Sequence, residues 1–446
     1  MTVPKKIRVA SWFIGGIVRK HHRKISVGFV AGIALVLLFL HFGATITNRL
    51  TEQHTVMGLV GSFTPTELPV EIQRLLSIGL TAVDATGEVS PALATTWTVS
   101  PDGKEYTFTL RTDVSWHDGK PFTAYDVNYN LRDVEFTATS DTTLVVKLKE
   151  PFTPLPSFLS KPLFRKGLIG LGSYKISSIR LKGEYVSYTK LTPLEPDLPE
   201  LEIKFYPSET MVKTAFKLGE ITMLDDITDP DPFKTWNTVM LQENRKFDHY
   251  VGIFFNLNNE FIAAKKKELR QALSYAITKP EENRVATPLS TRSWAYTNRV
   301  KQYEKDEVAA HELIEGIGIQ PEDTITLSTF PAYFSLAQTI ASEWEAVGMK
   351  TKIKVENSVP TDYQALLVAQ EIPPDPDQYP MWHATQKETN ITGYANPKID
   401  KLLEDARKET DLENREVIYY DFQRYLVEEA PAIFLFHPVT YTVTRK

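Results

Sequence analysis

The chain has 446 residues, 42% hydrophobic and 24% charged, a globular composition with room for two or three cores that excludes a disordered or fibrous chain. Its net charge of −6 is unevenly placed: residues 1–50 hold eight Lys/Arg and no acid, while residues 51–446 carry 42 Lys/Arg against 56 acids, an acidic body that argues against nucleic acid as a partner. No cysteine is present, which removes disulfides, thiolate metal sites, thiol nucleophiles and a lipid-modified cysteine anchor.

Lys5, Lys6, Arg8, Arg19, Lys20, Arg23 and Lys24 precede residues 25–46, a run of 22 positions without a formally charged side chain. A helix of that length is roughly 33 Å long at ~1.5 Å per residue, against a hydrocarbon core of about 30 Å. The expectation is a basic cytoplasmic tail over 1–24 and one transmembrane helix over 25–46. Lys and Arg cluster before the span and only Arg49 follows closely, so the protein is expected in the cell membrane with its N-terminus cytoplasmic and its body extracytoplasmic. A cleaved secretory signal is the competing reading. It requires an apolar stretch of about 7–15 residues and a small-x-small site, which Phe42-Gly43-Ala44 fits poorly.

After a juxtamembrane stretch, Thr66 is placed to cap a helix carrying Leu68, Ile72, Leu75 and Leu76 at helical spacing. Strands are expected over 106–111, 142–148, 174–180 and 184–190, with Asp102-Gly103 and Asp118-Gly119 as turn dipeptides and proline clusters at 151–162 and 193–199 as punctuation. From about residue 250 strand and helix alternate: a strand at 251–256, a helix with Leu269, Leu273 and Ile277, a helix at 308–314, a strand at 324–330, a helix with Leu336, Ile340 and Trp344, and a strand at 350–356. That rhythm is an α/β lobe. Asn396-Pro397 and Asp411 open two further helices, and strands at 432–436 and 441–443 end the chain.

No catalytic signature emerges. The nine histidines never fall four apart, the spacing that puts two metal ligands on one helix face. Gly170-Leu171-Gly172 leads into a strand and lacks a third glycine, so it reads as a turn. Trp116-His117-Asp118-Gly119 sits where a strand reverses, with aspartate and glycine serving the turn and tryptophan the packing. The run at 375–383 differs, because its acids and aromatics follow a strand of an α/β lobe on a proline-stiffened loop. Loops at strand ends are where such lobes bind ligands. Asp375, Trp382 and His383 are therefore cleft candidates, against the alternative of a solvated loop with Trp382 in the core. Asp375 and Asp377 as a hydrolytic pair lack support, since two neighbouring acids alone do not supply separated pKa values.

The residues Gly87-Glu88-Val89-Ser90-Pro91-Ala92-Leu93-Ala94, Trp97, Ser100-Pro101-Asp102-Gly103, Trp116-His117-Asp118-Gly119 and Thr123-Ala124-Tyr125-Asp126-Val127 together resemble the signature of the family 5 extracellular solute-binding proteins, the oligopeptide, dipeptide and nickel-type receptors. Further matches are Phe255-Asn256, 270–277, Gly393-Tyr394, Asn396-Pro397, 400–406 and 428–433. The resemblance implies an α/β, two-lobe fold of the type II periplasmic-binding-protein class with a hinge and an interlobe cleft. It assigns 52–250 to the first lobe, with 430–446 returning to it, and 251–429 to the second, the crossovers lying near 250–256 and 430. It further implies a receptor that binds a peptide or peptide-like molecule without cleaving it, uses no cofactor or metal, and docks on the permease subunits of an ABC importer. A membrane-anchored ligand sensor or scaffold without an importer is the alternative.

The resemblance places Thr66 and Glu67 on the cleft opposite the 375–383 loop, adds Asn256, and gives Trp382 and Tyr394 a stacking role. It also exposes a departure. Where peptide-binding relatives hold the ligand's amine with an aspartate, this chain has Ile372, leaving Glu67, Glu371 and Asp375 as the acids available for that task. Asp375 is the first choice because Pro376 stiffens its loop, with a turn-capping role as its alternative.

Overall fold

The computed structural model describes residues 55–446 except Pro321. The expected tail and membrane helix lie outside the described residues, among which no helix is long and apolar enough to cross a membrane.

The first lobe is built on a seven-stranded sheet ordered Val239–Arg245, Val439–Arg445, Met223–Ile227, Thr55–Val60, Leu201–Tyr206, Tyr185–Pro193, Tyr174–Lys182. Thr55–Val60 at its centre pairs in parallel with both neighbours, and the rest of the sheet is antiparallel. Parallel neighbours need a crossover, supplied by the helix Glu209–Leu218, which Ser208 caps and Gly219 ends at φ 78°. That helix buries Val212, Ala215 and Phe216 on one face of the sheet. The other face carries Val70–Leu76, shorter at seven residues. Its start is set by Pro69 at the N-cap position; Thr66, expected to cap it, lies in the preceding turn. Beside this sheet stands a four-stranded antiparallel sheet, Ala94–Val99, Glu105–Leu110, Thr143–Leu148, Val134–Ser140, closed over Phe108, Trp116, Leu144 and Val146. Its edge strand Val134–Ser140 alternates half-buried Val134, Phe136 and Ala138 with exposed Glu135, Thr137 and Thr139, a period-2 pattern that the sequence reading passed over.

The second lobe is a five-stranded sheet ordered Lys350–Val355, Thr324–Thr329, Ala365–Glu371, His249–Phe255, Ala432–Phe436. In His249–Phe255, Val251, Ile253 and Phe255 face a core with Leu273, Ile340 and Trp344. Tyr250 and Phe254 face the opposite core, with Leu403, Tyr419 and Phe422. A strand covered by helices on both faces has no polar side, which is why this run is continuously apolar.

The chain passes between lobes over 245–249 and again over 436–439, slightly displaced from the crossovers expected near 250–256 and 430. The strand Ala432–Phe436 belongs to the second lobe's sheet, and only Val439–Arg445 returns to the first. The two passages are fastened together: Lys246 N donates to Pro438 O at 2.9 Å, and His437 Nδ1 donates to His249 O at 2.6 Å.

Candidate functional site

Between the lobes lie two adjoining chambers of about 530 and 490 Å³. The larger is walled by the helix Val70–Leu76 and the turn Asp84–Gly87 of the first lobe, the passage Arg245–Asp248, and Leu289–Ser293 and Glu371–Pro374 of the second. The smaller runs from Gln73 and Phe158 to Asp375 and Met381. Val70, Arg74, Glu371, Pro373 and Pro374 border both and so form the partition.

Away from the two passages, two backbone hydrogen bonds join the lobes among the described residues. Trp294 N donates to Thr86 O at 3.0 Å, and Thr153 N donates to Arg407 O at 2.8 Å. At the first contact Gly87 has φ +85°, and a Cβ there would lie 2.6 Å from Pro374 O. Both the left-handed backbone and the approach of the second lobe demand glycine. Asp84 holds the turn by accepting from Thr86 N, Thr86 Oγ1 and Glu88 N.

The charges of the larger chamber divide into committed and uncommitted groups. Asp84 is occupied by its turn. Lys246 pairs with Asp226 at 3.3 Å; burial alone would lower its ammonium, but Asp226, Asp248 and Glu71 outweigh burial and leave it above its ordinary value. Asp248 contacts His249 at 3.1 Å, and that contact, with Glu371 directly opposite in the ladder, raises the imidazole above its ordinary value against burial. Arg292 lies over the Phe247 ring at 3.6 Å. Glu71, Arg74, Arg245 and Glu371 have no ion-pair partner among the described residues, and of these only Arg74 and Glu371, one from each lobe, border both chambers.

The loop after Glu371 is pinned from behind. Asp375, 5% exposed, receives Arg415 Nη1 at 3.1 Å and Nη2 at 2.7 Å. Asp377 receives Arg407 Nε and Nη2 at 3.0 and 2.7 Å. Burial pushes the Asp375 carboxyl up and Arg415 pulls against it; the two-point contact is the geometry of a carboxylate and a guanidinium. Arg407 also lies over Tyr379 at 3.8 Å. The loop is thus a rigid wall whose acids face helices Pro397–Lys408 and Leu412–Glu429, leaving neither available as a general acid or base.

Of the seven expected site residues, Asp375 alone borders a chamber, and it does so already neutralised. Thr66 and Glu67 are exposed in a turn closed by the Thr64 hydroxyl, outside the residues lining the chambers. Asn256 caps its own loop by accepting from Asn258 N at 3.1 Å. Trp382, 1% exposed, packs on Phe254 and Phe434, and Tyr394 belongs to the same core, so neither offers a free ring face to a ligand. His383 is buried between Thr385 and Glu404. An aromatic after prolines is read equally by core and cleft, and only packing separated them. The residues that sequence reasoning passed over, Arg74, Arg245, Lys246 and Arg292, lie on one short helix, the interlobe passage and a loop. The cluster Arg245-Lys246-Phe247-Asp248 between two strands was the available signal.

Comparison with known proteins supplies the remaining facts. A family model described as bacterial extracellular solute-binding proteins, family 5 Middle, matches residues 88–390. The probable D,D-dipeptide-binding periplasmic protein DdpA of Escherichia coli (strain K12) is 22% identical over 428 residues, covering 82% of each chain. Among solved structures, NikZ of Campylobacter jejuni in complex with Ni(L-His) superposes with TM-score 0.75 at 24% identity, covering 89% of this chain and 94% of that one. The oligopeptide-binding protein AppA of Bacillus subtilis, in complex with a nonapeptide, gives TM-score 0.70 at 20% identity over 88% and 94%. At such identities the structural likeness carries the fold, two α/β lobes about a cleft.

Proposed function

The chain belongs to the bacterial extracellular solute-binding proteins of family 5, and on that footing we propose that it captures a zwitterionic, peptide-like solute in the interlobe cleft and presents it to the permease of an ABC importer. The observation that carries this reading is the pair of uncommitted charges at the partition: Arg74 on the first lobe and Glu371 on the second, each bordering both chambers. A carboxylate and an ammonium on one ligand satisfy both. Because the two residues belong to different lobes, the ligand also stabilises the closed arrangement by mass action.

Glu371 takes the ammonium for physical reasons. Ile372 offers no charge and is buried against the second core. Asp375 is paired with Arg415, and Glu67 is outside the chamber walls. Glu71 lies close enough to the Lys246 ammonium to favour its charge and, of the two chambers, borders only the larger. An ammonium enclosed without a carboxylate costs several kcal/mol, and Glu371 removes that cost. The remaining walls mix charged and polar groups with apolar ones such as Val70, Phe158, Pro373 and Met381, suited to a peptide main chain with varied side chains. Residues 25–46 are proposed to tether the receptor as one membrane-spanning helix.

The test is calorimetry of the protein against mixed di- and tripeptides, their N-acetylated forms and a nickel–histidine chelate. Free-amine peptides should bind and raise the melting temperature, and acetylation should weaken them at least tenfold. Binding of the chelate alone, or of acetylated and free peptides equally, refutes the reading.

A further inference from the structure

A third cavity, of about 320 Å³, lies within the first lobe and is not part of the partitioned cleft. It exists because the two faces of the seven-stranded sheet are covered unequally. The ten-residue helix Glu209–Leu218 covers one face. On the other, the seven-residue helix Val70–Leu76 buries Ile72 and Leu76 but leaves Met57 and Leu59 of the central strand half-buried. The gap has apolar walls of Met57, Leu59, Phe63, Ile72 and Ile203, and one polar edge at Asp225, Asn244 and Thr440.

The cavity adjoins the larger cleft chamber, because Glu71 and Lys246 line both. Those two residues, with Asp226 held on Lys246 at 3.3 Å, make a charged threshold between an apolar hollow and the cleft. A wholly apolar solute would have to pass that threshold without compensation. A polar main chain lying in the cleft keeps its hydrogen-bonding groups at the threshold and sends only a side chain through. The volume is roughly twice that of an apolar cavity of ~150 Å³ able to take benzene, which is room enough for a phenyl or branched aliphatic group.

We propose that this chamber is an apolar specificity pocket, taking one phenyl-sized side chain of the ligand held in the cleft. The proposal rests on the cleft reading above for its ligand but can be read out without a peptide. Saturation-transfer NMR on the full chain, with benzyl alcohol as probe, should detect binding that weakens at least tenfold in Leu59→Trp, which fills the hollow. Met57→Phe, a milder filling, should give an intermediate loss and guards against a Leu59→Trp protein that fails to fold. Lys217→Ala, at an exposed position on the helix that covers the opposite face of the sheet, should leave the probe unaffected. Calorimetry should then show one phenylalanine-substituted trialanine binding about tenfold more tightly than trialanine, an advantage that Leu59→Trp removes. Absence of benzyl alcohol binding, equal binding in the filled variants, or a phenylalanine advantage that survives filling overturns the pocket. Probe binding that filling abolishes, with no tripeptide bound at all, supports the pocket as an apolar site and overturns only the peptide reading.

Discussion

Replacing Asp375 by asparagine separates a structural carboxylate from a ligand anchor. In the native protein Arg415 is 4% exposed and donates to both Asp375 oxygens, at 3.1 and 2.7 Å. It also donates to Ala406 O at 2.9 Å and Tyr419 Oη at 3.1 Å. Asp375→Asn keeps the shape but leaves a buried guanidinium facing an amide that matches one donor at best. Removing one partner of a buried pair costs about 3–5 kcal/mol. The expected outcome is that much loss of unfolding free energy in urea, followed by tryptophan fluorescence, while free-amine and acetylated peptides lose affinity equally because only the loop has loosened. The double substitution Asp375→Leu with Arg415→Met should be less destabilised than the two singles together, with a coupling of roughly 0.5–3 kcal/mol. A single variant within about 0.5 kcal/mol of wild type, the spread of ordinary surface substitutions, that weakens free-amine peptides selectively would refute the reasoning and make Asp375 the amine anchor.

Glu371→Gln should weaken a free-amine peptide by about 1.5–3 kcal/mol, the scale of a hydrogen bond to a charged group, and leave its acetylated form nearly unchanged by calorimetry. Gly87→Ala brings a Cβ to 2.6 Å from Pro374 O at φ +85°; left-handed backbone alone costs roughly 1–2 kcal/mol, so X-ray scattering should show incomplete compaction at saturating ligand. At the interlobe passages two histidines act with opposite sign. His437, pushed below its ordinary 6.5 by burial, binds fewer protons folded than unfolded, so its contribution declines as pH falls below 6.5. His249, raised above 6.5 by Asp248, contributes fully below 6.5 and loses that contribution as pH rises through its folded value. Urea midpoints between pH 5 and 8 should lose the acid-side decline in His437→Gln and the alkaline-side decline in His249→Gln; identical pH profiles in both variants and wild type would exclude this linkage.

Much of the architecture was legible because it is local. The periodicities of 269–277, 396–406 and 411–426 are those of helices with one buried stripe, and Asn396 and Asp411 cap the helices as read. The turn chemistry of Asp102-Gly103 and Asp118-Gly119 likewise depends only on neighbours, with both glycines at positive φ. The short helix at 70–76 starts later than its hydrophobic spacing implied, since Pro69 fixes the entry whatever Thr66 could cap.

The family and the class of fold were thus determined by the sequence alone, through motifs whose meaning is carried within a few residues. The site was decided by tertiary structure. Whether Asp375 faces a ligand or a protein cation depends on Arg415, forty residues away on another helix. Whether Trp382 is a stacking platform or core depends on Phe254 and Phe434, on strands paired across the sheet. A carboxylate, an indole or a guanidinium has the same chemistry in either setting. Its role follows from which groups long-range packing brings within hydrogen-bonding distance, and that packing joined Arg74 and Glu371 at one partition from opposite lobes.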